Sequence, residues 1–166
     1  MFDRQIEESI EIVATPSEIW WQLTSFESYP EWNPFITRIE GEPAEGSVLE
    51  VKLEPPGMLP VVVRPKVLRS EPERELRWVG QLGVSNIFDG EHVFIIESIG
   101  VDHCRFIQRE NFDGLLVPAG LAFMGRSVRR GFQQMNQALC QRAEAAHASR
   151  EVARGEDEAR GRDSDQ

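Results

Sequence analysis

The sequence predicts an α+β domain in which a curved antiparallel β-sheet packs against one long C-terminal helix. Between residues 35 and 112, segments of alternating apolar and polar residues are separated by turns rich in Gly, Pro and Asp, as in antiparallel strands with short connections. From Leu121 to Ala143, apolar residues recur every three or four positions, which is the helical period. No other segment is long enough to bury this stripe, so we expect the helix to lie across the sheet.

The N-terminal region is predicted to form one strand followed by two short helices. In residues 5–14, isoleucines alternate with mostly polar residues, which indicates a strand with one wet face. Thr15-Pro16-Ser17-Glu18 has the sequence of a helix capping box, with Thr15 as the N-cap and Glu18 as its reciprocal partner. Residues 26–34 contain aromatics and two prolines, which limit any second helix to a short one.

The middle of the chain is predicted to consist almost entirely of strands. With the first strand they would make a sheet of about seven strands. Their predicted ranges are 35–41, 47–54, 61–70, 74–81, 88–99 and 103–112.

The long helix is predicted over residues 118–146, because Pro118 suits the first helical turn. Arg126, Arg129 and Arg130 lie on its polar face, which we interpret as solvated rather than as a site for an acidic ligand. Residues 149–166 are mostly charged and lack an apolar face, so they cannot bury enough surface to become ordered. We therefore expect a domain over residues 1–147 and a disordered charged tail over 148–166.

Composition and charge exclude several classes of partner. The net charge of −10 argues against nucleic acid and against anionic membrane surfaces, which both require a basic face. No apolar run is long enough to insert into a membrane, and the N-terminus does not resemble a signal peptide. Cys104 and Cys140 have no metal-binding spacing, which favours free thiols in a reducing compartment. We expect a cytoplasmic protein; the sequence does not predict its oligomeric state.

The sequence contains none of the common catalytic or cofactor-binding motifs. It has no nucleophile elbow, phosphate-binding loop, dinucleotide-binding glycine pattern or zinc-binding His-Glu-x-x-His. We therefore expect no metal and no cofactor, and the sequence assigns no catalytic residue.

One polar pair stands out in the last predicted hairpin. If Gly100-Val101-Asp102 forms its loop, His92 lies opposite Glu110 and Phe94 lies opposite Gln108, all on one face of the sheet. A His–carboxylate pair in apolar surroundings is able to hold a ligand's polar end or to transfer protons. The alternative is a structural pair in which two buried polar groups satisfy each other.

Four segments together resemble a known superfamily. They are residues 26–34, Leu76-Arg77-Trp78, residues 90–94 and residues 106–116. In this order they are similar to the superfamily that contains START lipid-transfer domains, polyketide cyclases/dehydrases and a major plant pollen allergen. The resemblance implies a helix-grip fold, in which a deep cavity between the concave sheet and the long helix takes an apolar ligand.

The residues that we expect to bind this ligand are mostly large and apolar. They are Trp32, Val67, Trp78, His92, Phe94, Gln108, Glu110, Phe112, Met124, Val128 and Phe132. For the aromatic residues, membership of an ordinary core is an equally good interpretation. Met58 and Leu59, in a turn bracketed by prolines, either gate the cavity or fold back onto the sheet.

Three functional hypotheses remain open at this point. The first is binding of a small hydrophobic molecule, lipid-like or polyketide-like, without obligatory chemistry. The second is an enzyme resembling polyketide cyclases that uses the same cavity. The third is a protein-interaction module like the chaperone activators of the superfamily. A cavity with one polar pair favours the first two.

Overall fold

The computed structural model describes residues 5–81, 89–114 and 117–163, and these form the predicted α+β fold. The helices are α1 (Pro16–Thr24), α2 (Tyr29–Trp32) and α3 (Val117–Asp163), and a 3-10 turn at Phe26–Ser28 precedes α2. The strands are β1 (Gln5–Ile12), β2 (Ile36–Glu40), β3 (Glu50–Leu53), β4 (Val61–Val63), β5 (Lys66–Glu71), β6 (Glu75–Gln81), β7 (Asp89–Gly100) and β8 (His103–Asp113).

The described strands form two antiparallel sheets where the sequence predicted one. The larger sheet has the order β1-β8-β7-β6-β5, and the smaller has the order β2-β3-β4. The predicted strand over 61–70 is divided between them, because Pro65 lacks the N–H that a continuous ladder requires. The two sheets still adjoin, since Val48 bridges to Lys66 and the Leu49 N–H donates to the Pro65 carbonyl over 2.8 Å.

The capping box at the start of α1 is confirmed. The Thr15 side chain accepts the Glu18 N–H over 3.2 Å, and the Glu18 carboxylate accepts the Thr15 N–H over 2.8 Å. Glu18 also reaches α3, where its carboxylate lies 2.9 Å from the His147 ring and 2.9 Å from the Arg150 guanidinium. One carboxylate therefore fixes the start of α1 and joins it to the long helix.

Helix α3 buries the predicted apolar stripe. Phe132, Met135, Leu139 and Ala143 are fully buried against the larger sheet and α1. The predicted start at Pro118 and the first stripe residue, Leu121, have side chains outside the part of the chain that the structure describes.

Helix α3 continues to Asp163, into the region for which the sequence predicts a disordered tail. Residues 152–160 are exposed, so packing does not hold this extension in place. Ala, Arg and Glu favour a helix intrinsically, and Arg154 pairs with Glu151 and Glu158 one turn away on either side. The domain boundary at residue 147 stays a prediction. None of the helices in the described residues is long and apolar enough to cross a membrane.

Candidate functional site

A cavity of about 190 Å³ lies between the two sheets and the N-terminal half of α3. The larger sheet contributes Trp78, Gly80, Gly90, His92, Glu110 and Phe112 to its walls. The smaller sheet and its loops contribute Phe35, Val51, Leu53, Pro55, Met58, Leu59, Val61, Val63 and Pro65, and α3 contributes Met124, Val128 and Phe132. Among these described lining residues, His92 and Glu110 are the only ionisable ones.

The β7–β8 hairpin has the register predicted from its loop. His92 pairs with Glu110, Phe94 with Gln108, and Ile96 with Phe106. Their side chains share the inner face of the sheet, which α3 covers. The prediction that His92 and Glu110 are neighbours across this hairpin is confirmed.

Both ring nitrogens of His92 have partners. Nδ1 lies 2.5 Å from Oε2 of Glu110, and Nε2 lies 3.0 Å from the amide nitrogen of Gln108. The Gln108 amide nitrogen also lies 3.5 Å from the Met135 sulfur. The amide nitrogen donates to the sulfur and, where Nε2 is unprotonated, to the ring, while the amide oxygen is buried without a partner among the described residues.

Aromatic rings enclose the imidazole of His92. Trp78 stacks on it with ring centroids 5.4 Å apart, while Phe94 and Phe132 lie 4.4 Å and 5.2 Å away. His92 is only 5% exposed as a result. The ring is therefore fixed in position by packing as well as by its contacts with Glu110 and Gln108.

A glycine on β7 makes room for the carboxylate of Glu110. Gly80 and Gly90 face each other on β6 and β7 and both line the cavity. A Cβ atom on Gly90 would lie 2.2 Å from Oε1 of Glu110, so any side chain at this position would displace the carboxylate. Because Gly90 has no side chain, Oε1 lies over the strand at the cavity wall.

A β-turn closes one side of the cavity. The Met58 N–H donates to the Pro55 carbonyl over 3.0 Å, with Pro56 and Gly57 between them and Gly57 at φ +77°, which is a type II arrangement. The Ser127 hydroxyl on α3 donates to the Pro56 carbonyl over 2.5 Å and holds the turn against the helix. Met58 and Leu59 line the cavity, and Leu59 is also 85% exposed.

Helix α3 approaches the smaller sheet closely at Gly131. A Cβ atom there would lie 2.2 Å from the Phe35 ring, so only glycine allows this contact. The Phe35 ring packs edge-on against Phe132, with centroids 5.5 Å apart, and both rings line the cavity. Gly131 therefore determines how far one cavity wall lies from α3.

Seven of the residues predicted to bind a ligand line the cavity. They are Trp78, His92, Glu110, Phe112, Met124, Val128 and Phe132. The structure places the other four outside its lining. Two of these, Phe94 and Gln108, are fully buried behind His92, because they share its face of the sheet but lie deeper under α3.

The remaining two predicted residues lie on other sides of the core. Trp32 packs edge-on against Tyr29 at 5.0 Å, and its indole N–H donates to the Ser28 hydroxyl over 3.2 Å. Val67 is buried on β5 at the edge of the larger sheet, opposite Trp78. Both residues contribute to the hydrophobic core and not to the cavity walls.

The sequence did not identify the half of the cavity that the smaller sheet and the glycines form. The missed residues are Phe35, Val51, Leu53, Pro55, Val61, Val63, Pro65, Gly80 and Gly90. Alternation along β3 was visible in the sequence, but it could not show that this strand faces α3 across a cavity. Within the described residues, no group of three or more His, Cys, Asp or Glu could hold a metal ion.

Comparison with sequence families gives a match that covers most of the chain. Residues 3–144 match the profile of the family described as "Polyketide cyclase / dehydrase and lipid transport". No curated protein shows significant similarity to the chain.

Solved structures with a similar fold include enzymes and a START protein. The Zhui aromatase/cyclase from a Streptomyces species matches with a TM-score of 0.65 and 16% identity over 85% of this chain and 93% of that one. A START superfamily protein from Mycobacterium smegmatis matches with a TM-score of 0.61 and 21% identity over 89% of this chain and 99% of that one. A norcoclaurine synthase point mutant from Thalictrum flavum matches with a TM-score of 0.64 and 16% identity over 84% of this chain and 92% of that one. At these identities the similarity shows the helix-grip fold alone.

Proposed function

This chain belongs to the polyketide cyclase/dehydrase and lipid transport family, and we propose that it binds a small hydrophobic molecule in the cavity between the sheets and α3. The observation that carries the proposal is an apolar cavity with a single ionisable pair, His92 and Glu110, in its wall. Binding sites for small molecules typically combine apolar walls with a few placed polar groups. In this proposal the walls supply affinity and the pair holds the polar end of the ligand.

The cavity volume limits the size of the ligand. At about 190 Å³ it is smaller than the roughly 300–1,000 Å³ of pockets for drug-sized molecules. Cavities of about 150 Å³ lined by aliphatic and aromatic residues hold one benzene ring. The cavity therefore suits a molecule of about one ring with short substituents. Longer ligands would require the flexible side chains of Met58 and Met124 to move.

A pair of matched substitutions on α3 tests the proposal. Val128→Phe would fill the cavity, since Val128 lines it, whereas Val152→Phe makes the same change where the side chain is 63% exposed and distant from the cavity. We expect Val128→Phe to weaken binding of toluene at least about tenfold and Val152→Phe to leave it unchanged. Toluene binding is measured by calorimetry, and native mass spectrometry of the purified protein would identify any ligand that copurifies.

Unchanged toluene binding by a folded Val128→Phe variant would show that this cavity is not the binding site. Thermal melts of both variants establish whether each is folded. If Val128→Phe does not fold, Val128→Leu enlarges the same side chain less, and we expect it to weaken binding to a smaller degree.

A cyclase-like enzyme is the second candidate, because a His–Glu contact of 2.5 Å in an apolar wall has the geometry of a general base pair. His92→Phe distinguishes the two functions. A binding protein would lose affinity for ligands with a polar end and keep its affinity for fully apolar ones. An enzyme would lose turnover while its affinity for substrate stayed unchanged.

A further inference from the structure

We infer that the polar group of the ligand is a hydrogen-bond donor, a hydroxyl or an amine, and that it binds to Oε1 of Glu110. This inference rests on the proposed function and specifies the chemistry of the ligand. It makes Glu110, not His92, the residue that contacts the ligand's polar end. It also predicts which ligands of the right size the cavity rejects.

The His92 ring has no nitrogen left for a ligand. Nδ1 lies 2.5 Å from Oε2 of Glu110, and Nε2 lies 3.0 Å from the amide nitrogen of Gln108. The ring is also only 5% exposed. Both nitrogens therefore have partners within the protein.

The Glu110 carboxylate has one oxygen that the protein does not use. Oε2 lies 2.5 Å from Nδ1 of His92, whereas Oε1 accepts no hydrogen bond from any residue that the structure describes. Oε1 lies over Gly90 at the cavity wall, and the Glu110 side chain is 16% exposed. The space above Gly90 is therefore where a ligand atom is able to reach it.

The chemistry of a carboxylate oxygen selects the ligand class. An ionised carboxylate only accepts hydrogen bonds, so it attracts a hydroxyl or an amine and repels a second carboxylate. An unpartnered carboxylate oxygen in apolar surroundings costs free energy, so a ligand with a donor that reaches this oxygen binds more tightly. With the size limit, the structure favours a phenol-like or alcohol-like ring over a hydrocarbon or a free acid of the same size.

Three ring compounds of similar size test this chemistry on the full-length protein. Phenol carries a donor, toluene replaces the hydroxyl with a methyl group, and benzoate carries a carboxylate. We expect phenol to bind at least about tenfold more tightly than toluene, and benzoate to bind more weakly than either. The affinities are measured by calorimetry at neutral pH.

Variants then test whether Glu110 causes the preference for phenol over toluene. Glu110→Gln is expected to reduce the ratio of phenol to toluene affinity about tenfold. Gly90→Ala keeps the charge but displaces Oε1, and it should reduce the same ratio. Glu91→Gln is the matched control, because Glu91 lies on the other face of the sheet, where it pairs with Asn111 and Arg77.

The outcomes separate this inference from the proposed function. Equal affinity for phenol and toluene, or tighter binding of benzoate, would overturn the inference while leaving the binding function intact. Failure of all three compounds to bind would overturn both. If Glu110→Gln does not fold, the comparison of the three compounds with the unchanged protein still decides the question.

Discussion

Two glycines on helix α3 are expected to respond with opposite signs to the same substitution. A Cβ atom on Gly131 would lie 2.2 Å from Cδ2 and 2.7 Å from Cε2 of Phe35. A Cβ atom on Gly125 would have no heavy atom within 4 Å outside its own helical surroundings. Gly131→Ala and Gly125→Ala therefore test the contact between α3 and the smaller sheet while keeping the helix and the chemical change constant.

The magnitudes follow from two opposing effects. Replacing glycine with alanine inside a helix stabilises it by about 1 kcal/mol, and at Gly125 this gain should be realised almost in full. At Gly131 the same gain is opposed by a clash with a ring that is 3% exposed and packed against Phe132, so the ring must shift towards the cavity that it lines. Overpacking of this kind costs about 1–3 kcal/mol. We expect Gly131→Ala to lower the free energy of unfolding by about 1 kcal/mol, which places this variant about 2 kcal/mol below Gly125→Ala.

Urea unfolding of the full-length variants measures this difference. Each kcal/mol corresponds to about 2–4 °C in melting temperature for a chain of this length. Because Phe35 lines the cavity, Gly131→Ala should also weaken toluene binding, and Gly125→Ala should not. If Gly131→Ala proved as stable as Gly125→Ala, α3 could not pack against Phe35 as closely as described.

Three further predictions concern the tail, the start of α1 and the thiols. Deletion of residues 151–166 should change the melting temperature by less than about 2 °C, because exposed tails rarely contribute to stability; a larger fall in a calorimetric melt would show that the tail packs against the domain. For Glu18, burial alone would raise the carboxyl pKa, but hydrogen bonds from Thr15 and His147 outweigh it and hold the pKa below 4.5. The stabilisation that the Glu18 carboxylate provides is thus present above pH 4.5 and is lost as the pH falls through the lowered pKa. Glu18→Gln should therefore lower the free energy of unfolding by about 1 kcal/mol at neutral pH and by progressively less in acid. Urea unfolding at several pH values measures this, and a difference that stayed constant with pH would contradict it. Burial raises the pKa of the Cys104 thiol, and burial together with Glu144 raises the pKa of the Cys140 thiol to about 11. Iodoacetamide should therefore label both thiols far more slowly in the folded than in the unfolded protein. Mass spectrometry measures the labelling, and equal rates in the two states would refute the prediction.

The sequence was most informative where structure is local. The β7–β8 register follows from a short loop, and the loop alone placed His92 opposite Glu110. The capping box at Thr15 was likewise visible within four residues. In both places neighbours in the chain determine the geometry, and distant contacts only add to it.

Alternation along a strand predicted which face of the sheet a side chain lies on, but not how deeply the side chain is buried. His92, Phe94 and Gln108 all lie on the inner face, as expected. Only His92 lines the cavity, because α3 covers the other two completely. Depth depends on where a helix distant in sequence crosses the sheet, and a single sequence does not contain that information.

The glycines of the site could not be interpreted from the sequence for a similar reason. Gly80 and Gly90 would ordinarily weaken a strand. The role of Gly90 depends on the Glu110 carboxylate across the sheet, and that of Gly131 depends on Phe35, which lies almost a hundred positions earlier in the chain. The tail was predicted to be disordered because it lacks an apolar face, although a helix of exposed Ala, Arg and Glu residues requires no such face.

The central claim is that the cavity between the sheets and α3 is the binding site for an apolar molecule. Nuclear Overhauser contacts between bound toluene and methyl-labelled methionines test it most directly, because Met58 and Met124 line the cavity whereas Met135 is fully buried outside its lining. We expect contacts from toluene to the ε-methyl groups of Met58 and Met124, and none to that of Met135. Saturating toluene that contacts neither Met58 nor Met124 would show that the ligand binds elsewhere and would contradict the proposed site.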